Sequence, residues 1–366
     1  MVFGDRFNYP VIDESMCNNC GKCQKACPSL YLTHDVKPDI QGVGLSRDYK
    51  YFLIHHSDTT LRHDAASGGF VTGIISYLIE KGLADGGIVA KGSPDNALES
   101  ISFIARNKEE LLSSRGSRYA PVSNCTPIKD ILKLDGRYIF MGKPCEVDAV
   151  NRLIKVYPDL QEKIILKISF ICAGTAARSS TKLFIKRYLP DIDLKSIGRI
   201  TYRGGGWPGF FRVYDRNNSL ILKRDLIGDE LDNLVPRDHL LRCNLCMDQW
   251  GMAGDISVSD PWCKEFVETE TEGRTAIVVR SEHALDYIKS AVTDKVMIAD
   301  EIQMENIQLY QNDIVVNSAK RKSWMSAYAL FFLAKIRYPF SAVRYKGKGF
   351  KSVLRAKSNK HYFQNE

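Results

Sequence analysis

Within eleven residues the chain places Cys17, Cys20, Cys23 and Cys27, with Pro28 directly after the last. C-x2-C-x2-C-x3-C-P is the spacing with which bacterial ferredoxins hold cubane 4Fe-4S clusters. Three thiolates inside seven residues let one short loop wrap a cluster, and the fourth, beside a proline, points away from that loop. In two-cluster ferredoxins that fourth thiolate serves the other cluster. The run therefore asks where further ligands lie. Zinc fits poorly, because zinc knuckles pair one C-x2-C with a distant C-x2-C or His pair. Disulfides fit less well still. Residues 1–16, MVFGDRFNYPVIDESM, carry no apolar signal segment, and such thiolates belong in a reducing compartment. A cytoplasmic location is the expectation.

The remaining cysteines are Cys125, Cys145, Cys172, Cys243, Cys246 and Cys263. Cys243 and Cys246 form a second C-x2-C in RCNLCMD. Cys145 follows a strand through the turn Gly142-Lys143-Pro144, and Cys172 ends a strand before Ala173-Gly174. Strand ends can gather distant thiolates at one sheet edge. Ten cysteines suffice for two clusters with two to spare. The simplest partition gives Cys17, Cys20, Cys23 and Cys27 to one 4Fe-4S cluster and Cys145, Cys172, Cys243 and Cys246 to the other. A swap of Cys27 to the second cluster stays open, as does a purely structural reading of Cys125 and Cys263 as core residues.

The body reads as mixed α/β. Tyr51–His55, Gly87–Lys91, Ile101–Ala105, Arg137–Met141 and Lys163–Ile171 have strand character, as do 199–203, 211–215, 219–224, 255–259 and 275–280. Ser67-Gly68-Gly69 opens a helix whose apolar residues Phe70, Val71, Ile74, Ile75, Leu78 and Ile79 repeat at helical spacing, with Gly82 as its stop. A second helix runs from about Cys145 to Val156. The expected division is 1–45 as an iron–sulfur lobe, 46–130 and 131–315 as the two parts of the body, and 316–366 as a basic tail.

Ser67-Gly68-Gly69 is the best phosphate cradle, since glycines permit close backbone approach and a helix N-terminus offers amides and the positive end of its dipole. Ser-Gly is also a common helix start. Ser117, Arg118 and Tyr119 could supply a cation and an aromatic face to a flavin, or form an ordinary surface turn. No G-x-G-x-x-G follows a strand, so a Rossmann dinucleotide site is unsupported, and P-loop, zinc-protease and nucleophile-elbow motifs are absent. Arg203-Gly204-Gly205-Gly206-Trp207-Pro208-Gly209 reads either as a mobile loop on the substrate side or as a solvent-exposed glycine loop. His55, His56 and His63 could reach the flavin turn; a structural or surface role suits each better. No catalytic acid or base is assigned.

Charge is unevenly placed. Residues 320–360 carry twelve basic side chains and no Asp or Glu, so this segment holds +12 against +8 for the whole chain and leaves the rest at −4. The stretch KRKSWMSAYALFFLAKIR at 320–337 flanks an apolar aromatic centre with cations. It is too short to span a bilayer, and could lie peripherally on the inner membrane face or dock as a helix on the body. The basic residues form no recognisable nucleic-acid module, so no nucleic-acid partner is expected.

Taken together these segments resemble the beta-subunit family of deazaflavin (coenzyme F420) hydrogenases and dehydrogenases, a family that includes hydroxymethyl-chlorophyll reductase and relatives encoded beside polysaccharide genes. The resemblance is carried by the ferredoxin run, ASGGFVTGIISYLIEKG at 66–82, GSRYAPVS at 116–123, GKPCEVDAV at 142–150, ICAGT at 171–175, CNLCMDQWGMAGDISVSD at 243–260 and EGRTAIVVRS at 272–281. It implies a non-Rossmann flavin-binding fold with FAD beside a 4Fe-4S cluster held by Cys145, Cys243 and Cys246, with Cys172 as fourth ligand. It places FAD on Ser67, Gly68, Gly69, Ser117 and Tyr119. The stretch that usually ends Gly-Asp reads Ser259-Asp260 here. The implied activity is an FAD/iron–sulfur oxidoreductase. It would pass electrons between a ferredoxin-like donor or partner subunit and an organic acceptor, sugar-linked or lipid-linked if the tail touches a membrane. An electron-relay subunit without its own substrate, or a cysteine-rich protein with structural metal, are the competing readings. Deazaflavin binding itself is not carried over.

Overall fold

The computed structural model describes residues 2–28, 45–227, 240–244, 246 and 248–311. The tail at 316–366, and with it the membrane-contact expectation, lies outside these residues. In chain order the strands are β1 (Val2–Phe3), β2 (Asn8–Tyr9), β3 (Lys50–His56), β4 (Gly86–Gly92), β5 (Ser100–Ala105), β6 (Tyr138–Gly142), β7 (Ile164–Phe170), β8 (Ile197–Thr201), β9 (Phe210–Asp215), β10 (Leu220–Asp225), β11 (Ile256–Ser259), β12 (Thr275–Val279) and β13 (Met297–Glu301).

Eight of them form one mixed sheet in the order β13-β3-β12-β11-β7-β6-β4-β5. The inner strands β11, β7, β6 and β4 are parallel to one another, and β12, β13 and β5 run against their neighbours. Strands from both 46–130 and 131–315 share this sheet. Parallel strands covered on both faces need apolar residues at every position rather than alternate ones. Tyr138-Ile139-Phe140-Met141 is of this kind, and all four side chains are buried.

The pleat sends alternate residues to opposite faces. Ile54, Ile139, Met141, Ile277 and Val279 join one core with Phe70, Ile74 and Leu78 from the helix Phe70–Glu80 and Ala284 and Ile288 from the helix Glu282–Thr293. Their neighbours point the other way. Tyr51, Leu53, Ala276 and Val278 meet Met304 and Ile307 of the helix Met304–Gln311. Tyr138 and Phe140 meet Val147 and Val150 of the helix Pro144–Val156. Each fully buried aliphatic side chain stabilises such a core by roughly 1.5–3 kcal/mol.

A separate three-stranded antiparallel sheet, β10-β9-β8, packs Ile200, Phe211 and Val213 against Phe184 and Ile185 of the helix Arg178–Tyr188. Arg178 ties the β1–β2 hairpin to this unit. Its guanidinium donates to the carbonyl of Gly4 and, at 2.6 Å, to Asn8 Oδ1. Among the described residues no helix is long and apolar enough to cross a membrane.

Candidate functional site

The ferredoxin run is held by local geometry. Asn19 and Gly21 both adopt left-handed backbone, with φ of 57° and 69°, so the chain doubles back between Cys17 and the short helix Lys22–Ala26. Asn18 accepts from the amide of Cys20 at 3.2 Å. Cys17, Cys20 and Cys23 are exposed and Cys27 is half-buried. The short helix rests on the helix Pro144–Val156, and Arg242 Nε reaches back to the carbonyl of Pro28 at 3.0 Å. The run and the second C-x2-C are therefore tied together by the residue preceding Cys243.

Tertiary register places the other thiols. Gly142 at the end of β6 and Ser169 near the end of β7 are paired neighbours, and Cys145 and Cys172 each lie three residues further on. Both thus emerge at the carboxyl edge of adjacent parallel strands, the usual place for a cofactor in an α/β sheet. The loop after Cys172 turns amides toward sulfur. Gly174 N–H donates to the sulfur of Cys172, and Thr175 N–H to Cys243 Sγ at 3.5 Å. Cys172 feels Cys246 and Cys243 electrostatically, and Cys145 feels Cys172 and Arg242, so the four side chains form one neighbourhood. Burial pushes the thiol of Cys172 up to about 12 and raises that of Cys145 further. Amide donors to sulfur and nearby cations offset that cost when the thiolate is formed. Lys143 supplies one such cation. Burial alone would lower its pKa, but Glu146, 2.8 Å away, and the neighbouring thiols raise it. Among the described residues, no three His, Cys, Asp or Glu side chains stand close enough to chelate a single metal ion. A cubane asks instead that each thiolate bind its own iron.

One buried arginine joins the other motifs. Arg203, just after β8, is 2% exposed. It donates to the carbonyl of Ala66 at 2.6 Å, to Tyr119 Oη at 3.2 Å, to Asp260 Oδ2 at 3.2 Å and to the carbonyl of Pro208. Asp260 follows β11, and its other oxygen accepts from Trp207 Nε1 at 3.0 Å. The Ser-Gly-Gly turn, the Ser-x-Tyr element, the glycine loop and the end of the Asp260 segment thus meet within one guanidinium's reach. Asp260 serves as the counter-charge here, a reason for that aspartate that does not depend on the glycine missing before it.

Backbone contacts explain part of the glycine usage at 67–69. A Cβ on Gly68 would lie 2.6 Å from the carbonyl oxygen of Ile54 and 2.8 Å from the amide of Thr275, and Gly273 (φ 92°) is equally tight against Ser67. Ser67 Oγ donates to the Arg274 carbonyl at 2.6 Å, and Gly68 N–H to Thr275 Oγ1 at 3.1 Å. The turn is thereby fixed against 273–275, and the helix it opens starts without a side-chain cap. Ser117, Arg118 and Tyr119 are half-buried. Tyr119 packs edge-on to Tyr202 with centroids 5.8 Å apart. Arg118 donates to the Ile200 carbonyl at 3.2 Å, burial lowers its pKa, and its buried Nε finds no hydrogen-bond partner among the described residues.

The glycine loop is not the solvent-exposed turn that was one of the two sequence expectations. Gly204, Gly206, Trp207, Pro208 and Gly209 are buried. The amides of Gly205 and Gly206 donate to the His63 carbonyl at 3.0 and 2.8 Å, and that of Trp207 to Thr271. Four glycines at positive φ let the backbone coil tightly enough to be hydrogen-bonded inward. The histidines have structural partners. His56 Nδ1 accepts from Asp58 N–H at 2.9 Å, and burial lowers the pKa of both His55 and His56. His63 pairs with Glu272 at 3.0 Å on the surface. Cys125 donates weakly to the Glu146 carbonyl at 3.7 Å, and Cys263 packs beside Phe266 and precedes the helix Lys264–Thr269. The role of Arg203 as the meeting point was not visible in sequence. Its only signal was an arginine directly before a glycine-rich loop.

An iron–sulfur run joined to a thiol-lined sheet edge defines an electron-transfer oxidoreductase subunit with a 4Fe-4S domain. Family models agree along the chain. The 4Fe-4S binding domain matches residues 9–33, the N-terminal model of the coenzyme F420 hydrogenase/dehydrogenase beta subunit matches 51–129, and its C-terminal model matches 135–305. The chain belongs to the coenzyme F420 hydrogenase/dehydrogenase beta-subunit family. It is 26% identical over 314 residues to an uncharacterized protein of Methanocaldococcus jannaschii, covering 83% of this chain and 78% of that one. It is 25% identical over 232 residues to the coenzyme F420 hydrogenase subunit beta of Methanococcus voltae, covering 58% and 75%. A chain of the F420-reducing [NiFe] hydrogenase complex from Methanosarcina barkeri shares the fold with a TM-score of 0.56 at 19% identity, over 74% of this chain and 90% of that one.

Proposed function

We propose that the chain is an iron–sulfur flavoprotein oxidoreductase that takes electrons from a ferredoxin-like donor or a partner subunit and delivers them to an organic acceptor. Cys17, Cys20, Cys23 and Cys27 would hold one 4Fe-4S cluster, and Cys145, Cys172, Cys243 and Cys246 the second. Ser67, Gly68, Gly69, Ser117, Arg118 and Tyr119 would hold FAD, which when bound converts one-electron supply into two-electron transfer. The observation that carries the reading is the shared edge. Cys145 and Cys172 leave adjacent strands in register, amides of Gly174 and Thr175 face the sulfurs, and Arg203 draws the Ser-Gly-Gly and Ser-x-Tyr elements toward Asp260.

The residues suit these groups. The thiols have donors and cations beside them, the helix Phe70–Glu80 opens without a side-chain cap, and Arg118 keeps a buried Nε that no described residue satisfies, which suits an acceptor atom of a ligand. In this reading Arg203 fixes the two flavin-binding turns relative to each other. Lys143 and the 174–175 amides favour the thiolate form, and the buried edge excludes water from the transfer path. Relatives that are named as subunits of hydrogenases support a second reading, a relay within a larger complex.

Anaerobically purified protein should contain about eight iron and eight sulfide per chain for two cubane clusters, and release FAD on denaturation. Zinc without flavin would sink the proposal. Turnover of deazaflavin or another organic acceptor by the isolated chain, with a chemical electron donor, separates an enzyme from a relay. Peripheral membrane contact through the basic tail predicts that deletion from residue 318 onward moves the protein from membrane pellet to supernatant.

A further inference from the structure

The three-stranded sheet has two unlike faces. Its inner face carries Ile200, Phe211, Val213 and Leu222, which join the core with Phe184 and Ile185 of the helix Arg178–Tyr188. Side chains alternate along a strand, so the register settles which residues share the outer face. Arg199 and Thr201 on β8 stand opposite Tyr214 and Arg212 on β9. Lys223 and Asp225 on β10 stand opposite Arg212 and Phe210. Side-chain contacts agree with that placement. Arg199 Cζ lies 3.8 Å from the ring centroid of Tyr214, Lys223 Nζ lies 3.7 Å from that of Phe210, and Arg212 Nε donates to Thr201 Oγ1 at 3.3 Å.

Arg199, Arg212 and Lys223 thus share a face with one carboxylate, Asp225. Arg212 and Lys223 are direct cross-strand neighbours, and like charges so placed weaken a sheet. Among the described residues none of the three cations forms an ion pair. Their partners are the two rings, Thr201 and Asn218. The terminal nitrogens of Arg212 donate to no described residue and rest on the glycine loop. A Cβ on Gly205 would lie 3.1 Å from Arg212 Nη1 and 3.3 Å from Phe210 Cδ2, so glycine there makes room for the guanidinium. Beside Lys223 opens a cavity of about 310 Å³ lined by Phe210, Lys223, Arg224 and Asp225. Thr201, Arg212 and Lys223 stand at one level on three adjacent strands, a row about 10 Å long at the usual strand spacing. A hydroxyl, a planar guanidinium fork and a compact ammonium are together a donor set for phosphate oxygens. Phe210 and Tyr214 each already carry a cation over the ring, which leaves the face poorly suited to stacking the bases of single-stranded nucleic acid.

We propose that Thr201, Arg212 and Lys223 form a binding site for a small phosphate ester distinct from FAD. The phosphate neutralises the opposed cations, and the remainder of the ligand extends into the cavity beside Lys223. Tyr119 packs against the inner core of this sheet, so the row faces away from the Ser-x-Tyr element assigned above to the flavin. The site needs neither iron nor flavin and stands or falls separately from the oxidoreductase reading.

The test is calorimetry on the anaerobic holoprotein with inorganic pyrophosphate as the probe, at about 150 mM salt, where distant surface charges are screened. Binding should saturate in wild type. Arg212→Gln/Lys223→Gln should weaken it at least about tenfold, whereas Lys223→Arg, which keeps the charge, should retain it. Lys195→Gln/Arg216→Gln removes equal charge from the opposite end of the sheet and should leave the affinity within about twofold. Iron and FAD per chain should match wild type in every variant, and the ligand-free thermal midpoint of Arg212→Gln/Lys223→Gln should stay within about 2 °C, as for exposed substitutions generally. Pyrophosphate should raise the midpoint of wild type and not of that variant. An absence of saturable binding, or an equal loss in the two double variants, overturns the proposal. So does loss of FAD from Arg212→Gln/Lys223→Gln, which would make the row part of the flavin site. Tighter capture of single-stranded RNA than of pyrophosphate, abolished by the same variant, overturns it as well.

Discussion

The chain holds two sets of thiols by different means. Cys17, Cys20, Cys23 and Cys27 sit within one turn and a short helix, largely in solvent, and their spacing alone sets their approach. Cys145, Cys172, Cys243 and Cys246 come from three segments, the register of β6 and β7 brings the first two to one sheet edge, and all four lie half-buried, near amide donors and Lys143. The first set is local in sequence and open to a partner. The second is built by the fold and sheltered from water. Electron entry from outside needs the first kind of site, and delivery to a buried acceptor needs the second.

The largest effect should come from removing one thiol of each kind. If the chain holds the two cubanes proposed above, Cys20→Ala and Cys172→Ala should each lower iron from about eight to about four per chain, since a cubane deprived of a ligand is destabilised. Their stabilities should differ. Cys20→Ala leaves the thermal midpoint of the metal-free protein unchanged, whereas Cys172→Ala lowers it, because Cys172 packs inside the sheet edge. Equal midpoints would erase the distinction between a local and a fold-built site.

Arg203 tests the buried region without touching a thiol. Arg203→Met leaves Asp260 as an uncompensated charge beside Trp207, and breaking a buried pair in this way costs about 3–5 kcal/mol. Denaturant unfolding should register that loss, while the spectrum of the N-terminal cluster persists. If Asp260→Asn in the same background restores much of the stability, the cost belongs to the orphaned carboxylate. If it does not, the arginine's bonds to Ala66 and Tyr119 matter more than its charge.

Alkylation compares the two sets directly. In metal-free protein at pH 8, Cys17, Cys20 and Cys23 are exposed, whereas burial holds Cys145 and Cys172 protonated well above that pH. The thiolate is the nucleophile, so iodoacetamide should label the first three at least about tenfold faster by peptide mass spectrometry. Comparable rates would show that the edge opens when iron is absent.

What sequence could show follows the same division. The four-cysteine run was legible because one loop makes the site. The strands from Tyr51 to Val279 and the helix Phe70–Glu80 were legible from periodicity, with ends displaced by a residue or two. Strand order was not. β3 lies between β13 and β12, and nothing near Lys50–His56 announces partners more than two hundred residues away. β13 and the helices Arg178–Tyr188 and Glu282–Thr293 went unread among the stronger signals around them. The glycine loop misled for a physical reason. Glycines at 204–206 and 209 suit an exposed turn and a tightly coiled buried one equally, and only the carbonyls of His63 and Thr271 decide between them.

The smallest effect concerns how the edge is fastened. Glu270 accepts from the amides of Glu272 and Gly273 and pairs with Arg62 at 3.3 Å and Arg274 at 3.2 Å. It thereby fixes the turn that packs against Ser67. Burial alone would raise its pKa, but the amides and arginines outweigh burial and hold it below the usual glutamate range. A depressed folded-state pKa stabilises the fold above the unfolded value and loses that contribution as pH falls through the folded value. Glu270→Gln should therefore cost roughly 1–2 kcal/mol at pH 7, with the gap between mutant and wild type shrinking below about pH 4. A gap independent of pH would mean that the amide contacts, which glutamine can keep in part, outweigh the charge. The sheltered region would then be fastened by hydrogen-bond geometry rather than by ion pairing.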